Sequence, residues 1–231
     1  MNKSIVISGG SQGIGKALVK IFLKNDFEVF TCSRNIKKLE NLNEELKSEK
    51  LSIFQADLTQ KKQVQDFADF VLSRAKNLSV LINNAGFFLP GSIQNEEDGV
   101  LERQIETNVY SAYHLTRALL PKFIQQSKGQ IFNICSTASI VPYESGGSYC
   151  ISKFALLGFS KVLREELKTK GIKVTSVLPG ATLTPSWDGV DLPSERFIDV
   201  DELARTIYHI STLDQSTVVE EILIRPQLGD I

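Results

Sequence analysis

Short apolar runs alternate with longer amphipathic stretches along the whole chain, and few folds accept that rhythm. Residues 4–8, 28–32, 51–55, 79–82, 130–134, 173–178 and 218–224 read as strands, apolar enough in most cases to be buried on both faces. Between them, residues 14–24, 60–75, 98–126, 148–169 and 201–212 carry apolar side chains at helical spacing, as do Ile36, Leu39, Leu42 and Leu46. The long helix over 98–126 is expected to end or kink near Pro121. Strands separated by helices build a parallel sheet with helices on both faces. Right-handed crossovers then make it a doubly wound α/β sheet. No repeat or low-complexity linker interrupts the 231 residues, so one domain over 1–231 is expected. The segment 184–198, rich in Pro, Gly and Ser, is expected to be a loop or lid. Ligands bind such sheets outside the carboxyl ends of the strands.

The first strand runs straight into Ser8-Gly9-Gly10-Ser11-Gln12-Gly13-Ile14-Gly15 and then a helix. Glycines there permit a tight turn and close approach of a phosphate, and the helix start supplies free N–H groups. The spacing is G-x-x-x-G-x-G on Gly9, Gly13 and Gly15, because Leu18 stands where the common G-x-G-x-x-G fingerprint has its third glycine. The second strand ends Thr31-Cys32-Ser33-Arg34-Asn35. A carboxylate at that tip would suit the free ribose hydroxyls of NAD, whereas Arg suits a 2′-phosphate. Arg34 with Ser33 therefore points to NADP(H) over NAD(H).

Tyr149 and Lys153 lie four apart in a helical stretch, one turn above the other. An ammonium there favours the charged form of the phenol, which makes the pair a proton donor and acceptor. A hydroxyl from Ser136 could hold a substrate oxygen beside it. Taken alone, Tyr-x-x-x-Lys describes many solvated helix faces; the rest of the chain gives it meaning.

These residues together resemble the short-chain dehydrogenase/reductase family, in its compact single-domain branch, over nearly the whole chain. The family's glycine motif begins with Thr where this chain has Ser8. Its other motifs match at Asp57-Leu58, Asn83-Asn84-Ala85-Gly86, Asn108, Ser136, Tyr149, Lys153 and Pro179-Gly180. The resemblance implies a Rossmann-type fold and a catalytic set of Asn108, Ser136, Tyr149 and Lys153. It implies a cofactor site of Gly9, Ser11, Gln12, Gly13, Ile14, Gly15, Ser33, Arg34, Asp57, Leu58, Asn84, Ala85, Gly86, Tyr149, Lys153, Pro179, Gly180, Thr182 and Thr184. Asp57 would contact the adenine and Thr184 the nicotinamide carboxamide. Asn108 would hold a water that resupplies protons through Lys153. Ser139 rivals Ser136, but Ser136 has the spacing to Tyr149 usual in the family.

Composition sets the partners. A net charge of -1 with mixed signs argues against nucleic acid and acidic membranes. No apolar run reaches the length of a membrane span, and the N-terminus lacks a signal peptide's apolar core. Three scattered cysteines form neither a disulfide framework nor a metal cluster, so no metal is expected and a cytoplasmic setting is the default. His114, His209 and Cys150 are assigned structural roles. The expected substrate is a small carbonyl or alcohol, in a pocket drawn from Phe87, Phe88, Leu89, Val141, Pro142, Tyr143 and Trp187. Helices that are apolar on more than one face, one with Val109, Tyr113, Leu119, Leu120 and Phe123 and one around 154–163, predict a homodimer or homotetramer. The alternatives are a 3-oxoacyl-[acyl-carrier-protein] reductase, whose D-G-G-type tail this chain lacks, and an NADP-binding regulator with weak catalysis.

Overall fold

The computed structural model describes residues 3–231. Seven strands, β1 (Ser4–Ser8), β2 (Glu28–Ser33), β3 (Leu51–Gln55), β4 (Leu78–Asn83), β5 (Gly129–Ile134), β6 (Ile172–Pro179) and β7 (Glu221–Ile224), form one sheet in the order β3-β2-β1-β4-β5-β6-β7. Every neighbouring pair is parallel. This is the doubly wound sheet that the alternating rhythm predicts, of the Rossmann type that the resemblance implies.

The alternation within β1 shows why both faces need cover. Ile5 and Ile7 face one apolar core and Val6 the other, all fully buried. The first core gathers Leu18 and Phe22 of α1 (Gly13–Lys24), Leu42 of α2 (Ile36–Leu46), and Leu203 and Ile207 of α7 (Val200–Ser211). The second gathers Phe67 of α3 (Lys61–Leu72), Leu119 and Phe123 of α5 (Ser111–Gln126), and Leu163 of α6 (Gly147–Leu167). Each such side chain contributes about 1.5–3 kcal/mol by leaving water. On the second face, Asn83 Nδ2 donates to Thr116 Oγ1 at 2.9 Å and Asn133 Oδ1 at 2.8 Å, tying α5 to β4 and β5.

Three expectations are corrected. The helix expected over 98–126 is two α-helices, α4 (Val100–Ile105) and α5, joined by a π-helical turn over Glu106–Tyr110. The extra residue in that turn hardly disturbs the apolar spacing, so it leaves little trace in the sequence. Pro121 does not end α5, which runs on to Gln126 and stops where Ser127 turns left-handed at φ +49°. The last strand is shorter than expected and covers only Glu221–Ile224. The 184–198 segment is irregular as expected, with short 3-10 turns at Pro185–Trp187 and Ser194–Arg196. Among the described residues, no helix is long and apolar enough to cross a membrane.

Candidate active site

The strand order reverses between β1 and β4, and a crevice opens there beyond their carboxyl ends. The two loops that border it are stitched together. Ser8 Oγ accepts the N–H groups of Asn84 and Ala85 at 3.0 and 2.9 Å. Asn84 Nδ2 donates to the carbonyls of Ser8 and Gly9 at 2.9 and 3.1 Å. Ser8 thus ties the two loops together with its hydroxyl alone. Gly9 adopts φ +71°, and a Cβ on Gly15 would collide with the Gly9 carbonyl and the Asn84 amide. The glycines thus let the turn pack tightly against the Asn84 loop, and it borders the crevice at the start of α1.

A cavity of about 520 Å³ extends from this turn to the phenol of Tyr149. Every residue of the expected cofactor site lines it: Gly9 and Ser11 to Gly15 of the turn, Ser33 and Arg34, Asp57 and Leu58, Asn84 to Gly86, and Pro179, Gly180, Thr182 and Thr184. Ser136, Tyr149 and Lys153 line it too, whereas Asn108 does not. A glycine-rich turn at a helix start, with an arginine at the far end, fits a dinucleotide phosphate chain.

At the distal end, Asn35 Oδ1 accepts the Lys38 N–H at 3.2 Å and caps α2. The cap is therefore Asn35, and Arg34 is left to face the cavity. Ser11 Oγ donates to Ser33 Oγ at 3.0 Å, and Lys38 Nζ donates to Gln12 Oε1. Asp57 Oδ1 accepts from Thr59 N and Oγ1 at 3.1 and 2.9 Å, which fixes its carboxylate.

At the proximal end, Ser136 lies two residues beyond the end of β5 and accepts the Ala138 N–H at 3.1 Å. Its own hydroxyl proton remains available to a ligand oxygen. Ser139 accepts the Ser136 N–H at 3.1 Å and is buried away from the cavity, so it completes a capping box. Lys153 is buried, donates to the Ile134 carbonyl at 2.9 Å and lies 5.7 Å from the Tyr149 ring centre. Asn108 sits in the π-helical turn behind the wall. Its Oδ1 accepts from Phe87 N at 2.7 Å, and its Nδ2 donates to Phe87 O at 3.0 Å and Ser152 Oγ at 2.8 Å.

Aromatic rings border the phenol. Phe88 packs edge-on to Tyr149 at 4.8 Å and lies 6.3 Å from Trp187, which packs on Phe197 at 5.2 Å. Burial pushes the Tyr143 phenol up, with Tyr149 and Cys150 adding to the effect. Burial also pushes the thiols of Cys32 and Cys135 to about 12, so neither is a nucleophile near neutrality.

A family model described as short chain dehydrogenase matches residues 3–192. The chain belongs to the short-chain dehydrogenases. Among the relatives of this short-chain dehydrogenase, an uncharacterized oxidoreductase of Staphylococcus epidermidis is 27% identical over 224 residues, 97% of either chain. A 3-amino-tetrahydro-pyrrolizinone reductase of Xenorhabdus hominickii is 34% identical over 216 residues, 92% of this chain and 73% of that one. The solved structure of ElxO with NADP bound matches with a TM-score of 0.89 and 28% identity, covering 97% of each chain.

The short-chain dehydrogenase cavity also holds residues that the sequence reading passed over. Lys38 lines it beside Arg34, and Asp230 and Ile231 of the tail reach it from the far end of the chain. Lys38 carried a signal: a cation in the first turn of a helix opposes the helix dipole, which invites a second reason for its presence. The tail carried none.

Proposed function

We propose that this chain is an NADP(H)-dependent reductase, moving hydride between nicotinamide and the carbonyl or alcohol carbon of a small, uncharged, ring-bearing substrate. One observation carries the reading. A single cavity joins a phosphate cradle and Arg34 at one end to Ser136, Tyr149 and Lys153 at the other. The NADP bound in ElxO supports the cofactor, and the name of the Xenorhabdus reductase supports a ring substrate.

The turn from Gly9 to Gly15 and the start of α1 would hold the pyrophosphate, and Arg34 with Lys38 the 2′-phosphate. When bound, the reduced nicotinamide supplies hydride to the substrate carbon. Ser136 donates its free hydroxyl proton to the carbonyl oxygen and orients it. Tyr149 delivers a proton to that oxygen as negative charge develops. Lys153, fixed by the Ile134 carbonyl, stabilises the phenolate left behind. Asn108 has its side chain committed to Phe87 and Ser152, so a water resupplying protons to Lys153 would use the Asn108 carbonyl in the π-helical turn. Phe88, Trp187, Val141 and Tyr143 exclude water and favour a flat apolar body. Among the described residues that line the cavity, Arg34 and Lys38 lie at the opposite end and Lys153 is tied to the Ile134 carbonyl, which favours an uncharged substrate beside Tyr149. The free cysteines agree with a reducing, cytoplasmic setting, and exposed apolar residues on α5 and α6 with a homo-oligomer.

The test is an NADPH-oxidation panel of neutral ring ketones, straight-chain aldehydes, 3-oxoacyl thioesters and 3-oxo acids, repeated with NADH. Turnover is expected on neutral ring ketones, with NADPH preferred by about tenfold or more in kcat/KM. Activity confined to 3-oxoacyl thioesters would replace the substrate class. NADPH binding without turnover on any compound would favour the regulator.

A further inference from the structure

The helix that carries Tyr149 and Lys153 begins without a cap of its own. Gly146 precedes it and has no side chain to accept the first N–H groups. The missing partner comes from 52 residues earlier. Glu96 Oε1 accepts the Ser148 N–H at 2.9 Å, and Oε2 accepts the Ser148 hydroxyl. Ser148 is buried, and Tyr149 is the next residue. Room for the carboxylate exists only because residue 147 is glycine, at φ +23°; a Cβ there would collide with Glu96 and with the Gly91 carbonyl. A Cβ on Gly91 would meet Glu96 Cγ at 2.9 Å, so two glycines admit one side chain. Gly91 N donates to Ser145 O at 2.9 Å, which adds a backbone link between the same two segments.

Glu96 belongs to the irregular segment that leads from the Asn-Asn-Ala-Gly turn to α4. That segment is clamped at its other end as well, where Asn108 grips both polar groups of Phe87. Between the clamps lies Phe88, edge-on to Tyr149. The Asn108 grip thus sets where the wall begins, and the Glu96 grip sets how the first turn of α6 meets it.

We propose that Glu96 is a positioning residue for the reaction, a carboxylate clasp that fixes Tyr149 against the Phe88 wall. The proposal rests on the reading of Tyr149 as the proton donor. Proton and hydride transfer tolerate little misplacement, so a clasp one residue from the phenol acts on kcat and leaves the distant phosphate cradle alone.

The experiment compares Glu96→Ala, Glu96→Gln and Ser148→Ala with wild type by hydrogen–deuterium exchange, NADPH titration and steady-state kinetics. Glu96→Ala is expected to speed exchange over 88–97 and 145–151 and to lower kcat about tenfold or more, with NADPH affinity changed less than about twofold. Glu96→Gln keeps an acceptor for the Ser148 N–H and a donor for its hydroxyl, so kcat stays within about threefold of wild type. Ser148→Ala keeps the backbone bond and falls between them, which covers the case of a Glu96→Ala protein that does not fold. Wild-type exchange over both stretches in Glu96→Ala would overturn the clasp. Faster exchange with unchanged kcat would overturn its positioning role. A wild type that reduces no substrate would overturn the reductase reading and the positioning role with it, while the exchange data alone still decide whether the clasp exists.

Discussion

Asn35 and Arg34 are neighbours with opposite fates, and the difference is chemical. The short Asn35 amide reaches back to the Lys38 N–H and caps α2, while the longer guanidinium extends over the cavity. The sequence shows both residues but cannot assign the cap, because either could lie near the helix start. Lys38 is easily read as one more solvated charge on a polar helix face, yet it joins Arg34 on the cavity wall. Two cations facing one pocket favour a phosphate, and each charge-assisted bond counts more than a neutral one. Arg34→Ala and Lys38→Ala are each expected to raise the KM for NADPH about tenfold, leaving the KM for NADH within about twofold. Equal losses with both cofactors would show that these residues act on the fold of the turn and not on the 2′-phosphate. Glu96 shows the opposite limit of legibility. Nothing in a polar loop of Asn, Glu and Asp marks one carboxylate as the partner of a serine 52 residues away.

Elements were the easiest scale to read. Buried parallel strands must be apolar on both faces, so β1, β4, β5 and β6 stand out as short runs. The π-helical turn at Glu106–Tyr110 stayed hidden because it changes one backbone hydrogen-bond register and little else. Its position has a consequence, since it places Asn108 where its amide can reach both Phe87 and Ser152. The outer faces of α5 and α6 carry exposed apolar side chains: Tyr113 is 38% exposed, Phe154 45% and Val162 58%. Tyr110, in the π-helical turn, adds to that surface. A helix covered only by the sheet needs a single apolar stripe, so these faces are expected to pair with a second copy. Light scattering at micromolar concentration should give a multiple of the 25.7 kDa chain mass. A mass of one chain, unchanged on concentration, would refute the pairing.

Across the whole molecule, the sheet does one job: it brings loops distant in sequence to one crevice. The glycine turn follows β1, the Asn-Asn-Ala-Gly turn β4, Ser136 β5 and the Pro179-Gly180 turn β6, all at carboxyl ends. That placement was legible because the alternation of strands and helices dictates where the ends lie. The approach of Asp230 and Ile231 to the same cavity was not, because no periodicity governs a tail. Tyr149 is proposed as the group that exchanges a proton, with its hydroxyl adding little to cofactor affinity beside the rest of the cavity wall. The most direct measurement pairs turnover with cofactor binding in Tyr149→Phe, which keeps the ring against Phe88 and removes only the hydroxyl. With any substrate found in the panel, kcat is expected to fall at least about a hundredfold while NADPH affinity stays within about threefold. A Tyr149→Phe protein that turns over near the wild-type rate would contradict the account.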